Sequence, residues 1–297
     1  MILPMKEIII NLKNAKNWLS KPLPPRLSSD NDYMIYVIEL MNYAHYLIKV
    51  SASIAPNQVI TERGYSKHKA IVVGHVVRLS KLYHGFAYHI SKSEVELAYI
   101  MVRLMYECIT KMEYLFTAPK SSFKSFVFTS YRPQKEILDN LALIKSQRKL
   151  MKIEISIIKK IKKQLRSDRI SLSQLKKNKN WKFDGKDFKQ ILVSMKKEID
   201  YPFLFGQGSS FLHGDWHEMK IYNLEKRGRY YLPNLNFGSS DPRLALPVTI
   251  GCLDAVTDFL KWNKSDSPKY VMSIMQDFSI KARLFYDQYC EEKYADV

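Results

Sequence analysis

The stretch Ser209-Ser210-Phe211-Leu212-His213-Gly214-Asp215-Trp216-His217-Glu218 gathers imidazoles, carboxylates, hydroxyls and an indole within about three helical turns. An imidazole that titrates near neutral pH can move protons, and a neighbouring arginine can stabilise charge on phosphorus. A candidate for that arginine is Arg103, in Leu97-Ala98-Tyr99-Ile100-Met101-Val102-Arg103-Leu104-Met105-Tyr106-Glu107. Arg103 and Glu107 are four apart and share a helix face. Their helix is mostly apolar, and a charge buried there needs a defined partner. Two readings stay open: a clamp that ties helices together, or a site. The candidate catalytic residues are Arg103, Glu107, His213, Asp215 and His217.

Other chemistries fit less well. His213 and His217 lie four apart, but a zincin needs Glu immediately after the first histidine, and this chain reads H-G-D-W-H. No metal and no cofactor is expected. Gly206-x-Gly208 has no strand before it and no third glycine, so it is no nucleotide fingerprint, and no Walker loop occurs. Ser209 and Ser210 lack a nucleophile elbow. His75, His84 and His89 fall on one expected helix, where a lone histidine more often packs than reacts.

These residues need elements to position them, and the apolar periodicity is helical. A spacing of three to four residues predicts helices over Tyr33 to about Val50, His68 to about Ile90 and about Ser93 to Phe116. Pro56 and Gly64 punctuate a loop between the first two. Glu136 to Arg166 reads as one long helix, with Ile153, Ile157, Ile158, Ile161 and Leu165 as its apolar stripe. Helices are also expected over Phe188 to Tyr201, Phe203 to Met219, Leu246 to Trp262 and Ser267 to Tyr289, with Tyr230 to Pro233 a short extended piece. The fold class is all-α, a single multi-helix, bundle-like domain spanning 33–297. Residues 1–32, stopped by Lys21-Pro-Leu-Pro-Pro25, read as an N-terminal arm. A long basic helical hairpin or insertion is expected at about 136–189.

Charge singles out that hairpin. The 297-residue chain carries a net +18, and residues 145–189 hold sixteen lysines and arginines against four acids, a net +12. Such a field draws polyanions, so RNA or another anionic partner is expected, with Lys159, Lys160, Lys162, Lys163, Arg166, Lys176 and Lys177 as its contacts. The bland alternative is a solvated lysine-rich face. Cys108, Cys252 and Cys290 are odd in number and widely spaced, which suits a reducing compartment, and a cytoplasmic location is expected. No signal peptide is read at the N-terminus, and no run of about eighteen apolar residues suggests a transmembrane helix. Peripheral contact of the isoleucine-rich basic helix with a bilayer is a third, minor class.

The pairing of Leu97-Ala98-x4-Arg103-x3-Glu107 with Ser209-Ser210-x-x-His213-Gly214-Asp215 resembles a helical microbial family of unknown function, number 5677, over roughly His68 to Trp262. That resemblance implies an all-helical fold and no settled activity. Ser210-x-x-His213-Gly214 also looks like the corresponding helix of HEPN-domain proteins, many of them metal-independent ribonucleases of toxin and antiviral systems. Those use Arg-x4-6-His, acting on the RNA 2′-hydroxyl and phosphate. Here the positions five to seven before His213 are Gly208, Gln207 and Gly206, so the resemblance implies a cation from elsewhere, with Arg103 the candidate and Glu107 orienting it. The expected function is a HEPN-like RNA-acting protein, a metal-independent endoribonuclease of microbial defence. The alternative is a non-enzymatic sensor or adaptor that binds an anionic partner through the basic segment. A homodimer or another protein partner is a further expectation.

Overall fold

Apolar residues at helical spacing become buried helix faces throughout the chain, and a computed structural model describes residues 5–27, 29–53, 65–263 and 269–294. The fold is all-α, with one two-stranded hairpin among the described residues. It divides into two compact units, Met1–Phe116 with Lys197–Val297, and Thr117–Lys196. The Pro56 and Gly64 loop lies outside the described residues.

The first unit contains α1 (Met5–Leu19), α2 (Asp30–Ser53), α3 (Lys67–Ser91), α4 (Val95–Thr117), α12 (Pro242–Asn263) and α13 (Lys269–Tyr294). Helix α12 is its central element, packed against α2, α3 and α13. Its Leu246, Leu253, Val256, Phe259 and Leu260 are buried, each worth about 1.5–3 kcal/mol relative to exposure. Tyr83 and Thr249 are paired inside this core, whereas among the described residues the Tyr36 hydroxyl, Thr110 Oγ1 and Asn263 Nδ2 are buried without a hydrogen-bond partner. Thr249 Oγ1 donates to the Ala245 carbonyl at 2.7 Å, so the Tyr83 hydroxyl is the donor in its 2.8 Å bond to Thr249. Within the stretch read as an arm, α1 packs on α13. Trp18 is buried and stacks on Phe278 at 5.2 Å, while the Lys281 ammonium donates to the carbonyls of Trp18, Leu19 and Lys21.

The second unit holds α5 (Lys120–Thr129), α6 (Arg132–Gln147), α7 (Lys152–Ser167), α8 (Leu172–Lys177) and α9 (Phe188–Ser194). It extends to either side of the 136–189 range that charge picks out. Its core is Tyr131, Ile161, Leu165 and Leu175, with Phe128 and Trp181 stacked beside it at 5.7 Å. Glu136 to Arg166 is not one helix. The chain is extended at Arg148, whose guanidinium makes two bonds to Glu154 at 2.7 and 3.0 Å, while Glu154 also accepts from the Met151 amide at 2.7 Å. One carboxylate thus ends the approach to α7 and caps its first turn. The isoleucine stripe is correspondingly shorter than its spacing suggests: Ile161 and Leu165 are buried, but Ile153 and Ile157 are exposed.

Candidate functional site

Helix α4 carries Arg103, Glu107 and Lys111 at successive turns. Lys111 Nζ meets Glu107 Oε1 at 2.5 Å, and Arg103 Nη1 lies 3.8 Å from Glu107 Oε2. The guanidinium is mostly buried, with 16% of its side chain exposed.

A strap of chain from Lys197 to Asn223 covers this face. It contains a π-helical turn at Tyr201–Gly206, α10 (Gln207–His213), α11 (Trp216–Glu218) and a second π-helical turn at Met219–Asn223. The single helix expected over Phe203 to Met219 is therefore broken. Gly214, at φ +66°, ends α10, and the amides of Gly214 and Asp215 both bond to the Ser210 carbonyl.

The strap runs antiparallel to α4. Lys197 Nζ donates to Glu113 at 2.6 Å, Tyr106 donates to Asp200 at 3.3 Å, and the Arg103 guanidinium lies 4.4 Å from the Phe205 ring centroid. Further on, Phe211 stacks on Tyr99 at 4.7 Å and Asn223 donates to Glu96 at 2.8 Å. Burial pushes the Glu113 carboxyl up, against the Lys197 ammonium that favours its charge. The Tyr106 hydroxyl is also raised, by burial and by Asp200.

Arg103 Nε donates to Ser209 Oγ at 2.8 Å, which attaches the guanidinium to α10. His213 is one turn beyond Ser209 on the same face of that helix, exposed, and no hydrogen bond or ion pair joins it to Arg103. Asp215 and His217 are exposed at the corner that follows. Glu218 is half-buried, its carboxyl raised by burial, while His217 opposes and Asp215 and Glu96 reinforce that shift. Among the described residues, no three His, Cys, Asp or Glu side chains converge as metal ligands would.

Sequence reasoning missed Ser209 and Phe205 as the partners of Arg103, and Lys111 as the second cation on Glu107. The Glu107–Lys111 spacing was a usable signal. So was Gly208 inside a helical pattern, which implies close packing.

The basic candidates belong to the second unit. Lys159, Lys162, Lys163 and Arg166 recur on one face of α7, opposite buried Glu154, Ile161 and Leu165. Lys160 lies beside them, and Lys176 and Lys177 end α8. All seven are exposed. Among the described residues none of the seven forms an ion pair, so their charge faces solvent. No described helix is long and apolar enough to cross a membrane.

An all-α protein in which a strap pins an arginine of α4 through Ser209 and Phe205, ahead of an exposed corner of imidazoles and carboxylates in the chain, defines the class. The chain belongs to the Family of unknown function (DUF5677), whose model matches residues 69–230, from α3 through the site to the hairpin. No curated protein and no solved structure matches it.

Proposed function

We propose that this chain acts on RNA as a metal-independent endoribonuclease in microbial defence, with His213 as its general acid–base. The supporting observation is the 2.8 Å bond from Arg103 to Ser209, which holds a guanidinium against α10 at a residue one helical turn before a water-accessible imidazole. In this reading His213 takes the proton of a ribose 2′-hydroxyl as that oxygen attacks the adjacent phosphorus. The bond from phosphorus to the 5′-oxygen breaks, and the leaving oxygen takes a proton from His217 or water. Arg103 offsets the charge that builds on the phosphoryl oxygens, and Glu107 and Ser209 position Arg103. The products are a 2′,3′-cyclic phosphate and a 5′-hydroxyl. The likeness of Ser210-x-x-His213-Gly214 to HEPN helices supports the same chemistry, and the lysines of α7 and α8 draw in the substrate.

The test is cleavage of single-stranded and transfer RNA in the presence of EDTA. Wild-type protein is expected to cut and His213→Ala is not, at unchanged stability, because the side chain is exposed. RNA left intact by the wild-type protein sinks the reading.

A second reading has its own support. Arg103 is engaged at once by Ser209, Glu107 and the Phe205 ring, which is the arrangement of a strut. The chain is then a non-enzymatic sensor or adaptor that binds an anionic partner through α7 and α8. Under it, Arg103→Ala lowers stability and no variant changes RNA integrity.

A further inference from the structure

Three residues beyond His213, and so at most about 11 Å from it between Cα atoms, the chain reaches Trp216. It then enters the hairpin of β1 (Leu224–Arg227) and β2 (Tyr230–Pro233). This region departs from the usual distribution of large rings. Trp216 is 56% exposed, Tyr230 77% and Tyr231 39%. Trp216 meets Tyr231 edge-to-face, with centroids 5.5 Å apart and planes at 77°, so the two rings do not stack and the edge contact occupies one face of one ring only.

The strand register sets cations among these rings. Lys226 lies opposite Tyr231, and Arg227 opposite Tyr230. Side chains alternate along a strand, so each face of the ribbon carries one cation directly across from one tyrosine. Arg227 is held by Glu225 at 3.2 Å, whereas Lys220, Lys226 and Arg229 have no ion pair among the described residues.

A ligand for this surface must offer flat apolar faces and negative charges in alternation. A single nucleic-acid strand does so, because its bases are free to stack while its phosphates pass beside them; a duplex hides those faces. A bilayer favours rings gathered on one side with cations at the rim. Here Tyr230 and Tyr231 lie on opposite faces of the ribbon, so no single side gathers the rings, and the face of Tyr231 sets Lys226 directly across from it, which suits a strand laid along that face.

We infer that Trp216 and Tyr231, with Lys226 directly across from Tyr231, form a stacking platform that delivers single-stranded RNA to the His213 corner. The inference rests on the RNA reading above for its substrate class. It adds the requirement that the substrate be unpaired where it crosses the hairpin.

The experiment measures binding by fluorescence anisotropy, using a labelled oligouridine about ten nucleotides long with 2′-O-methyl riboses, which has no 2′-hydroxyl and cannot be cleaved. A Trp216→Ala/Tyr231→Ala double variant is expected to bind it about tenfold more weakly or worse. Trp216→Phe/Tyr231→Phe recovers most of that loss. Binding to a duplex of the same length stays unchanged across the set, and matching thermal melts confirm that the exposed rings do not hold the fold.

Wild-type protein that fails to bind the oligouridine, or a double variant that binds it as well as wild type, overturns the platform. So does a double variant that loses flotation with phosphatidylserine vesicles while keeping the oligouridine, since the rings then serve a lipid surface. The platform and the nuclease fail separately. Ring-dependent binding without RNA cleavage removes the nuclease alone, and cleavage indifferent to the rings removes the platform alone.

Discussion

Gly208 approaches Arg103 so closely that a β-carbon added to the glycine would stand 2.6 Å from the arginine Cβ and 2.8 Å from the Tyr99 carbonyl oxygen. Both are fixed atoms of α4 rather than the ends of flexible side chains. The strap must lift to relieve the contact, which weakens the Ser209 bond and the Phe205 stacking.

Gly208→Ala therefore sets two effects against each other. Alanine gains about 1 kcal/mol of helix propensity over glycine, while forced overpacking costs about 1–3 kcal/mol. With fixed atoms below 3 Å, the steric term wins and the melting temperature falls. Gly74 in α3 has nothing within 4 Å of its added β-carbon, so Gly74→Ala is expected to raise it. Thermal melts of the pair check the sign of each change.

The bond between Arg103 and Ser209 is measurable by a double-mutant cycle. Arg103→Ala alone strips a guanidinium from Phe205, Ser209 and Glu107, whereas Ser209→Ala removes one hydroxyl. The coupling term between them isolates the charged hydrogen bond and is expected at about 1–2 kcal/mol by urea denaturation. A coupling near zero means that Arg103 does not hold α10.

Acid sensitivity should trace to α2. Burial first, then His84 and then Lys49 hold the His45 imidazole down to about 4, and the two histidine rings stack at 4.9 Å. Between pH 6.5 and about 4 the unfolded chain takes up this proton and the folded chain does not. Stability is therefore complete above the unfolded value and lost as pH falls through that window. Because water reaches part of the ring, the loss is about 1–2 kcal/mol rather than the full shift. Urea midpoints measured across the window should drop for wild type and drop less for His45→Phe. Removing the neighbour by His84→Ala should raise the His45 titration seen by NMR.

What the sequence revealed and what it concealed divide on physical lines. Helices α2, α3, α4, α12 and α13 were legible because each buries a periodic apolar face, and packing reinforces the local pattern. The break between α6 and α7 was not, since no glycine or proline marks it. It rests on Arg148 reaching forward from an extended backbone to Glu154, and a pair six residues apart has no helical signature. Tyr230 to Pro233 read as extended, but its partner Leu224–Arg227 is a four-residue strand with little apolar character, so the hairpin stayed hidden. At the site, Arg103 and His213 were visible by type. Ser209 stands out only as part of the Ser-Ser-x-x-His-Gly-Asp stretch and as a serine without a nucleophile elbow, and its partner lies 106 residues away in sequence, where spacing carries no information.

The basic face of α7 offers the prediction that separates electrostatic recruitment from chemistry. Reversing Lys159, Lys160, Lys162 and Lys163 to glutamate takes residues 145–189 from a net +12 to a net +4. All four side chains are exposed and opposite the buried Ile161 and Leu165, so the helix has no reason to unfold. If these lysines contact phosphates, each lost contact lowers the slope of log K against log salt by about 0.7 for a single strand, and four lower it by about 3. Anisotropy titrations over a range of salt concentrations read that slope directly. Cleavage at saturating RNA should survive the reversal, because His213 and Arg103 are untouched, so the loss should fall on KM and leave kcat in place. An unchanged slope would make the lysine face a solvating surface and leave the hairpin at Trp216 as the route by which RNA reaches His213.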